Sequence, residues 1–379
     1  TRVTVDGRSV SLLHEIDEIS SVSGGSFTAA YFGLHGDGIF SDFEDRFLRK
    51  NVQGALIGRI FNPVNWIRRV SPSFGETDLV AEYYDKHIFD HATFGDFSRA
   101  HSPLIIINAT ELATGTRFPF TQPMFDLICS DIESYPISRA VTASSAVPVL
   151  FSPITLKNYA GTCGYEAPAW MEEAANDAAV TSRKVDARNL RTYLDSEKRP
   201  WFHLVDGGIS DNLGLREFYD IVNLMGDPET VLSYYGFPKP SQILIISVDS
   251  RAQADTRWAL QRYAPSMSQV LGSVTATSIS RYSNDTIDIV RHSYQNWAKA
   301  LSTPEKTVTF NFVEVSFDAV EDKAEREYLH GVGTSFNLSD EEVDRLIAAG
   351  RKVLRSSAEF KAFLDSNQKG DAVIHTNTP

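Results

Sequence analysis

Apolar and polar positions along this chain follow two periods. Three short runs are apolar on consecutive positions: residues 104–108 (LIIIN), 201–205 (WFHLV) and 243–248 (ILIISV). Runs of this length, followed by turn or polar residues, predict buried parallel strands covered by helices. Between them the period lengthens to that of a helix. The clearest helical stretch is LSDEEVDRLIAAGRKVLRSSAEFKAFL, where Ser339 and Glu342 fit a capping box. Val343, Leu346, Ile347, Gly350, Val353 and Leu354 then recur at helical spacing. Residues 158–200 are polar and mixed, and read as an excursion from the core. There is no internal repeat and no low-complexity linker. The pattern predicts a single α/β domain over residues 1–379, in three layers with a mostly parallel sheet. Residues 218–379 supply a remaining strand and C-terminal helices.

Composition narrows this picture. The chain has 379 residues and is 42% hydrophobic, enough for a large core. A net charge of −13 argues against nucleic acid as a partner, because phosphate binding needs a basic surface. Cys129 and Cys163 lie far apart without metal spacing; they can pair or stay free, and leave the compartment open. The longest apolar runs are strand-sized and too short to span a bilayer. The first ten residues, TRVTVDGRSV, carry no signal pattern. GDGIF and ATGTRF lack the lysine and spacing of a phosphate-binding loop, so no metal and no cofactor are expected.

The chemistry concentrates in ISSVSGGSFTAA, residues 19–30. Ile16, Ile19 and Val22 precede a Ser-Gly-Gly turn, and small residues follow it. A strand-to-helix elbow that lifts a nucleophilic serine needs small residues two before and two after, because the backbone crowds there. Ser21 and Gly25 meet that demand for Ser23. The same turn sets Ser23 at a helix N-terminus, where N–H groups favour a developing negative charge. A serine that simply caps the helix fits this stretch equally well. A second segment, HLVDGGISDNLGLRE at 203–217, ends an apolar strand on Asp206. Carboxylates at such strand ends lie where open α/β sheets put their sites. Gly207 and Gly208 admit another backbone or a substrate. The plain alternative is an Asp-Gly turn, and Asp211 is a lesser candidate for the acid.

Together the two segments resemble the patatin-like phospholipase family, which pairs a serine in a G-x-S-x-G elbow with an aspartate in D-G-G or D-G-A. NATELATGTRFPF (108–120) and SRAVTASSAVPVLFSP (138–153) resemble further family segments in the same order. The resemblance covers most of residues 15–217, with a weaker likeness from about 300 onward. It implies Ser23 as nucleophile and Asp206 as base. It also implies Gly24, Gly25 and Ser21 as elbow and oxyanion support, and Gly207, Gly208 and Asn212 as an active-site loop. The implied activity is that of a serine lipid acyl hydrolase, cleaving phospholipid or another acyl-ester lipid through an acyl-enzyme. Two departures stand out. Ser21 replaces the first elbow glycine. The family's glycine-rich oxyanion loop has no counterpart in the 22 residues before Ser23, which hold one glycine, Gly7. The expectation is an N-terminally incomplete chain, lacking the first strand and the main oxyanion donors, and weakly active or inactive by itself.

Two rivals remain at this stage. A Ser–His–Asp triad would draw on Asp249 with His292 or His330; His203 lies on the wrong strand face to serve Asp206. A non-catalytic lipid-binding scaffold is the other. Finally, residues 46–75 hold six basic and no acidic residues: Arg46, Arg49, Lys50, Arg59, Arg68 and Arg69. Leu56, Ile57, Ile60, Phe61, Val64, Trp66 and Ile67 lie among them. This mixture predicts peripheral contact with an anionic membrane through Arg59, Trp66, Arg68 and Arg69. The alternative is a helical cap over the core whose arginines pair with distant acids.

Overall fold

The structure, a computed structural model, describes residues 1–5, 8–62, 68, 75–100, 102–148, 151–252 and 257–374. A hairpin of β1 (Arg2–Val5) and β2 (Arg8–Ser11) leads into β3 (Glu18–Val22). β3 lies parallel to β4 (Leu104–Glu111), pairing Glu18 with Leu104 and Val22 with Asn108. β4 is the centre of the sheet, and its residues 105–111 are all buried. β5 (Thr116–Pro119) folds back antiparallel on β4. β7 (Trp201–Asp206) lies antiparallel on β4's other side, and β6 (Ile154–Lys157) lies antiparallel beyond it.

The expected α/β architecture with flanking helices is therefore present, around a sheet that is mixed. The run at 201–205 is the strand whose direction differs from expectation. Trp201 and His203 are exposed while Phe202 and Leu204 are buried. That alternation belongs to an antiparallel strand with one face covered. The run at 243–248 does pair in parallel, but in a second sheet. There β8 (Gln242–Asp249) matches β9 (Thr309–Ser316) residue for residue.

Helix α1 (Gly24–His35) leaves β3 directly and packs on β3 and β4 together with α2 (Glu76–His87) and α3 (Ile137–Ser144). Phe27 anchors this layer, stacked on Phe47 with ring centres 4.5 Å apart and edge-on to Tyr84 at 4.8 Å. A buried side chain of this kind contributes about 1.5–3 kcal/mol. Gly33 brings the helix close: a Cβ there would stand 2.7 Å from the Ile105 side chain and 2.9 Å from Phe97.

Residues 158–200 are more than an excursion. Their helices, Ala169–Ala175 and Ser182–Arg191, bury Met171, Ala174, Ala175 and Ala187. They pack beside α4 (Arg216–Met225). A Cys129–Cys163 disulfide and hydrogen bonds from the Asn158 amide to the Tyr193 and Arg199 carbonyls tie the segment down. The C-terminal helical stretch has the capping box at Ser339 and Glu342, but breaks at Ser357 into α6 (Asp340–Ser356) and α7 (Ala358–Ile374), preceded by the 35-residue α5 (Met267–Leu301).

Candidate active site

β3 ends at Val22, opposite Asn108 of β4, and β7 ends at Asp206, opposite Ala109. Two strands arriving from opposite directions thus stop within one residue of each other along β4. That register joins Ser23 to Asp206: the Ser23 hydroxyl donates to Asp206 Oδ2 at 2.9 Å. Ser23 has φ +52° and ψ −126°, on the left-handed side that a side chain rarely adopts. Such a conformation costs on the order of 1–3 kcal/mol and persists only where the surroundings enforce it.

Those surroundings are polar and buried. The Ser23 N–H donates to the Ser144 hydroxyl at 2.9 Å, and Ser144 donates onward to the Asn108 carbonyl at 2.6 Å. Because that bond uses the Ser144 proton, Ser26, 3.0 Å away, donates to Ser144. Ser21 donates to the Ile106 carbonyl at 3.0 Å and lies 3.2 Å from Ser26. The Asn108 amide donates to the Ser20 hydroxyl at 2.9 Å and the Ser21 carbonyl at 3.1 Å. Each serine of residues 19–30 therefore has its own partner. Ser144 and Asn108 escaped sequence reasoning as individual residues, although both lie in the family-like stretches 138–153 and 108–120. The trace they left is the small polar run TASSA at the end of α3.

No cation among the described residues holds Asp206. Its Oδ1 accepts from the Gly208 N–H at 2.7 Å, its N–H donates to the Ala146 carbonyl at 3.0 Å, and its carbonyl accepts from Thr110 Oγ1 at 2.8 Å. Burial pushes its carboxyl above the ordinary carboxylate range, and the Gly208 and Ser23 hydrogen bonds pull it part of the way back. Gly207 is required by space: a Cβ would stand 2.3 Å from the Asn108 carbonyl oxygen. At Gly208 a Cβ would meet Asn212 Oδ1 at 2.8 Å, which sets the Asn212 side chain against this turn. Gly24 and Gly25 are exposed at the start of α1, and their N–H groups donate to nothing among the described residues. This leaves two orphan helix donors beside the Ser23 hydroxyl.

The remaining candidates sit elsewhere. Asp211 is buried with Oδ2 on the Arg216 N–H at 2.8 Å, away from Ser23. Asp249 engages Arg251 at 2.7 Å, His292 faces the Asp288 carbonyl at 2.7 Å within α5, and His330 meets Asp318 at 3.0 Å. No described histidine hydrogen-bonds Ser23 or Asp206. In the basic stretch, Trp66 and Arg69 lie outside the described residues. Arg68 pairs with Glu82 at 2.9 Å, and the Arg59 guanidinium lies over the Tyr83 ring at 5.6 Å. Arg46 pairs with Asp90, and Arg49 with Glu44 and Asp344 at 2.7 and 2.6 Å. Among the described residues no helix is long and apolar enough to cross a membrane.

No curated protein matches this sequence. The family described as Patatin-like phospholipase does, over residues 9–219. That match spans more than half of the chain and contains every element around Ser23 and Asp206. The chain belongs to the patatin-like phospholipase family, a family of lipid acyl hydrolases.

Proposed function

We propose that this protein hydrolyses carboxylic esters of phospholipids or lysophospholipids, with Ser23 as nucleophile and Asp206 as its general base. The observation that carries the reading is the 2.9 Å hydrogen bond from a serine strained at a strand-to-helix elbow to a buried carboxylate whose other partner is a backbone N–H. The Ser23 oxygen attacks the ester carbonyl as its proton passes to Asp206 Oδ2. The oxyanion takes hydrogen bonds from the Gly24 and Gly25 N–H groups and the positive end of α1. As the C–O bond breaks, Asp206 returns the proton to the departing alcohol or lysolipid. Water then attacks the acyl-enzyme, giving its proton to Asp206, and the fatty acid leaves as Ser23 is reprotonated. A raised carboxyl suits this exchange, since a proton acceptor works best with a pKa near the operating pH.

His292 and His330 have other partners and neither hydrogen-bonds Ser23 or Asp206, which favours the dyad over a triad. Peripheral contact with an anionic membrane through residues 46–75 has less support, because Arg46, Arg49 and Arg68 already face carboxylates. The test is turnover of a nitrophenyl ester and of a micellar phospholipid. Ser23→Ala is expected to lower kcat by at least about 10³-fold, while His292→Ala and His330→Ala leave it within about twofold. A large loss in either histidine variant, or full activity in Ser23→Ala, sinks the dyad.

A further inference from the structure

Away from Ser23, a cavity enclosing about 900 Å³, open solvent included, lies between the helices Ala169–Ala175 and Ser182–Arg191, α4 and β5. Its lining is mostly apolar and includes four aromatic side chains, Tyr165, Trp170, Tyr234 and Tyr235. The same lining carries three carboxylates, Asp186, Glu217 and Asp220, and one guanidinium, Arg117. The three carboxylates differ in their partners. Glu217 faces Arg117 and accepts from the Tyr235 hydroxyl at 3.2 Å. Asp220 lies 3.3 Å from Arg117 and 3.4 Å from Arg216. Asp186 makes no hydrogen bond and no salt bridge among the described residues. Burial and then the charge of Asp220 push the Asp186 carboxyl up to about 6. Arg216 and Arg117 pull it part of the way back, and against these two guanidiniums the three carboxylates still leave one negative charge in excess in a partly dry space, which a cation beside the two aspartates relieves.

We propose that this cavity binds an organic ammonium ion, its charge between Asp186 and Asp220 and its methyl or methylene surface against the aromatic rings. Aromatic faces attract ammonium groups through the ring quadrupole, and most strongly where water is excluded. An anion meets the excess of carboxylates. A hard metal ion needs several converging oxygen ligands, and the described residues contain no cluster of three ligating side chains. The source of the ammonium is either a free amine or the head group of a zwitterionic lipid. The inference stands apart from the Ser23 reading, because none of the lining residues belongs to the elbow.

Isothermal titration of the Ser23→Ala protein at pH 8, where Asp186 is ionised, tests it. Choline chloride is expected to give a saturable heat that matched sodium chloride does not. Asp186→Asn and Tyr234→Ala are each expected to weaken binding on the order of tenfold. Asp186→Asn removes a repelled charge, so its melting temperature is expected not to fall, and Tyr234 is exposed, so neither variant endangers the fold. Dihexanoyl phosphatidylcholine below its micellar concentration separates the sources. Tighter binding than choline assigns a lipid head group, and equal or weaker binding a free amine. The proposal is overturned if choline behaves as sodium does, if both variants bind choline as tightly as the parent, or if the matching phosphatidylglycerol binds as well as phosphatidylcholine.

Discussion

Asp206 and Glu111 are buried carboxylates on neighbouring strands, and their surroundings set them apart. Asp206 lies opposite Ala109, and Glu111 is two residues further along β4, opposite Leu204. Asp206 is satisfied by a hydroxyl and a backbone N–H, and burial leaves its carboxyl raised. Burial pushes Glu111 up as well, but the Arg199 guanidinium, the Thr114 hydroxyl and the Ala113 N–H hold it below its ordinary value. The lesson is one of partner charge. Neutral donors hold a buried carboxylate in position and leave it able to take a proton, whereas a guanidinium fixes it as an ion. One end of the same sheet is thereby suited to proton transfer, and the other to holding residues 192–200 against β4.

Exchanging each carboxyl for its amide breaks the comparison most directly. Asp206→Asn is expected to lower ester turnover by at least about 10³-fold, with Ser23 still hydrogen-bonded to the amide. The same change is expected to raise the melting temperature at pH 7–8. The folded-state pKa of Asp206 is raised, so its ionised form costs stability above that pKa and costs nothing below the ordinary carboxylate range. The gain therefore disappears on acidification to about pH 3.5. Melting curves at the two pH values check the sign, and a lower melting temperature at pH 8 contradicts this account of Asp206.

Glu111→Gln is expected to act in the opposite sense. It leaves Arg199, 14% exposed, without its carboxylate partner, at a cost of about 3–5 kcal/mol. The folded pKa of Glu111 is depressed, so its contribution is present above the ordinary carboxylate range and lost as pH falls through the folded value. Denaturation of wild type and variant should thus differ most near neutrality and converge in acid. Equal stability at pH 7 removes the contrast with Asp206.

Ser144→Ala probes the layer beneath the elbow. It deletes the acceptor of the Ser23 N–H and the link to the Asn108 carbonyl. The expected loss is about 1–2 kcal/mol of stability and on the order of 10–10² in kcat, with KM little changed because Ser144 is fully buried beneath the elbow. Ser144→Thr keeps the hydroxyl and should recover part of kcat. A loss of stability with no loss of kcat makes Ser144 a packing residue only.

What the sequence disclosed, and what it hid, follows from the range of the contacts. The elbow was legible because its demands are local: small residues at Ser21 and Gly25 and a helix starting at Gly24. The Asp206 turn was legible for the same reason, since Gly207 and Gly208 leave room that other residues would fill. Ser144 acts on a residue 121 positions away and carries no local mark of it. The direction of β7 was hidden because WFHLV reads as a continuous apolar run although its first residues alternate in exposure. Residues 158–200 read as peripheral because their outward faces are polar, while Met171 and Ala187 supply the buried side.

The basic stretch at 46–75 shows the same limit, and yields the smallest expected effect. In sequence it is a run of uncompensated positive charge. In space its acids come from elsewhere: Asp90 for Arg46, Asp344 for Arg49 and Glu82 for Arg68. Exposed pairs of this kind contribute about 0–1 kcal/mol each, and they also lower the net field presented to an anionic surface. Reversing Arg59, Arg68 and Arg69 together to Glu is therefore expected to change vesicle flotation by less than about twofold, whereas free surface lysines or arginines would each contribute about 1 kcal/mol of attraction. Flotation on phosphatidylglycerol vesicles at low and at physiological salt reads the difference. A salt-sensitive loss of tenfold or more would show that the stretch meets the membrane despite its partners, and would move the lipid-facing side of the protein to α2 and the residues before it.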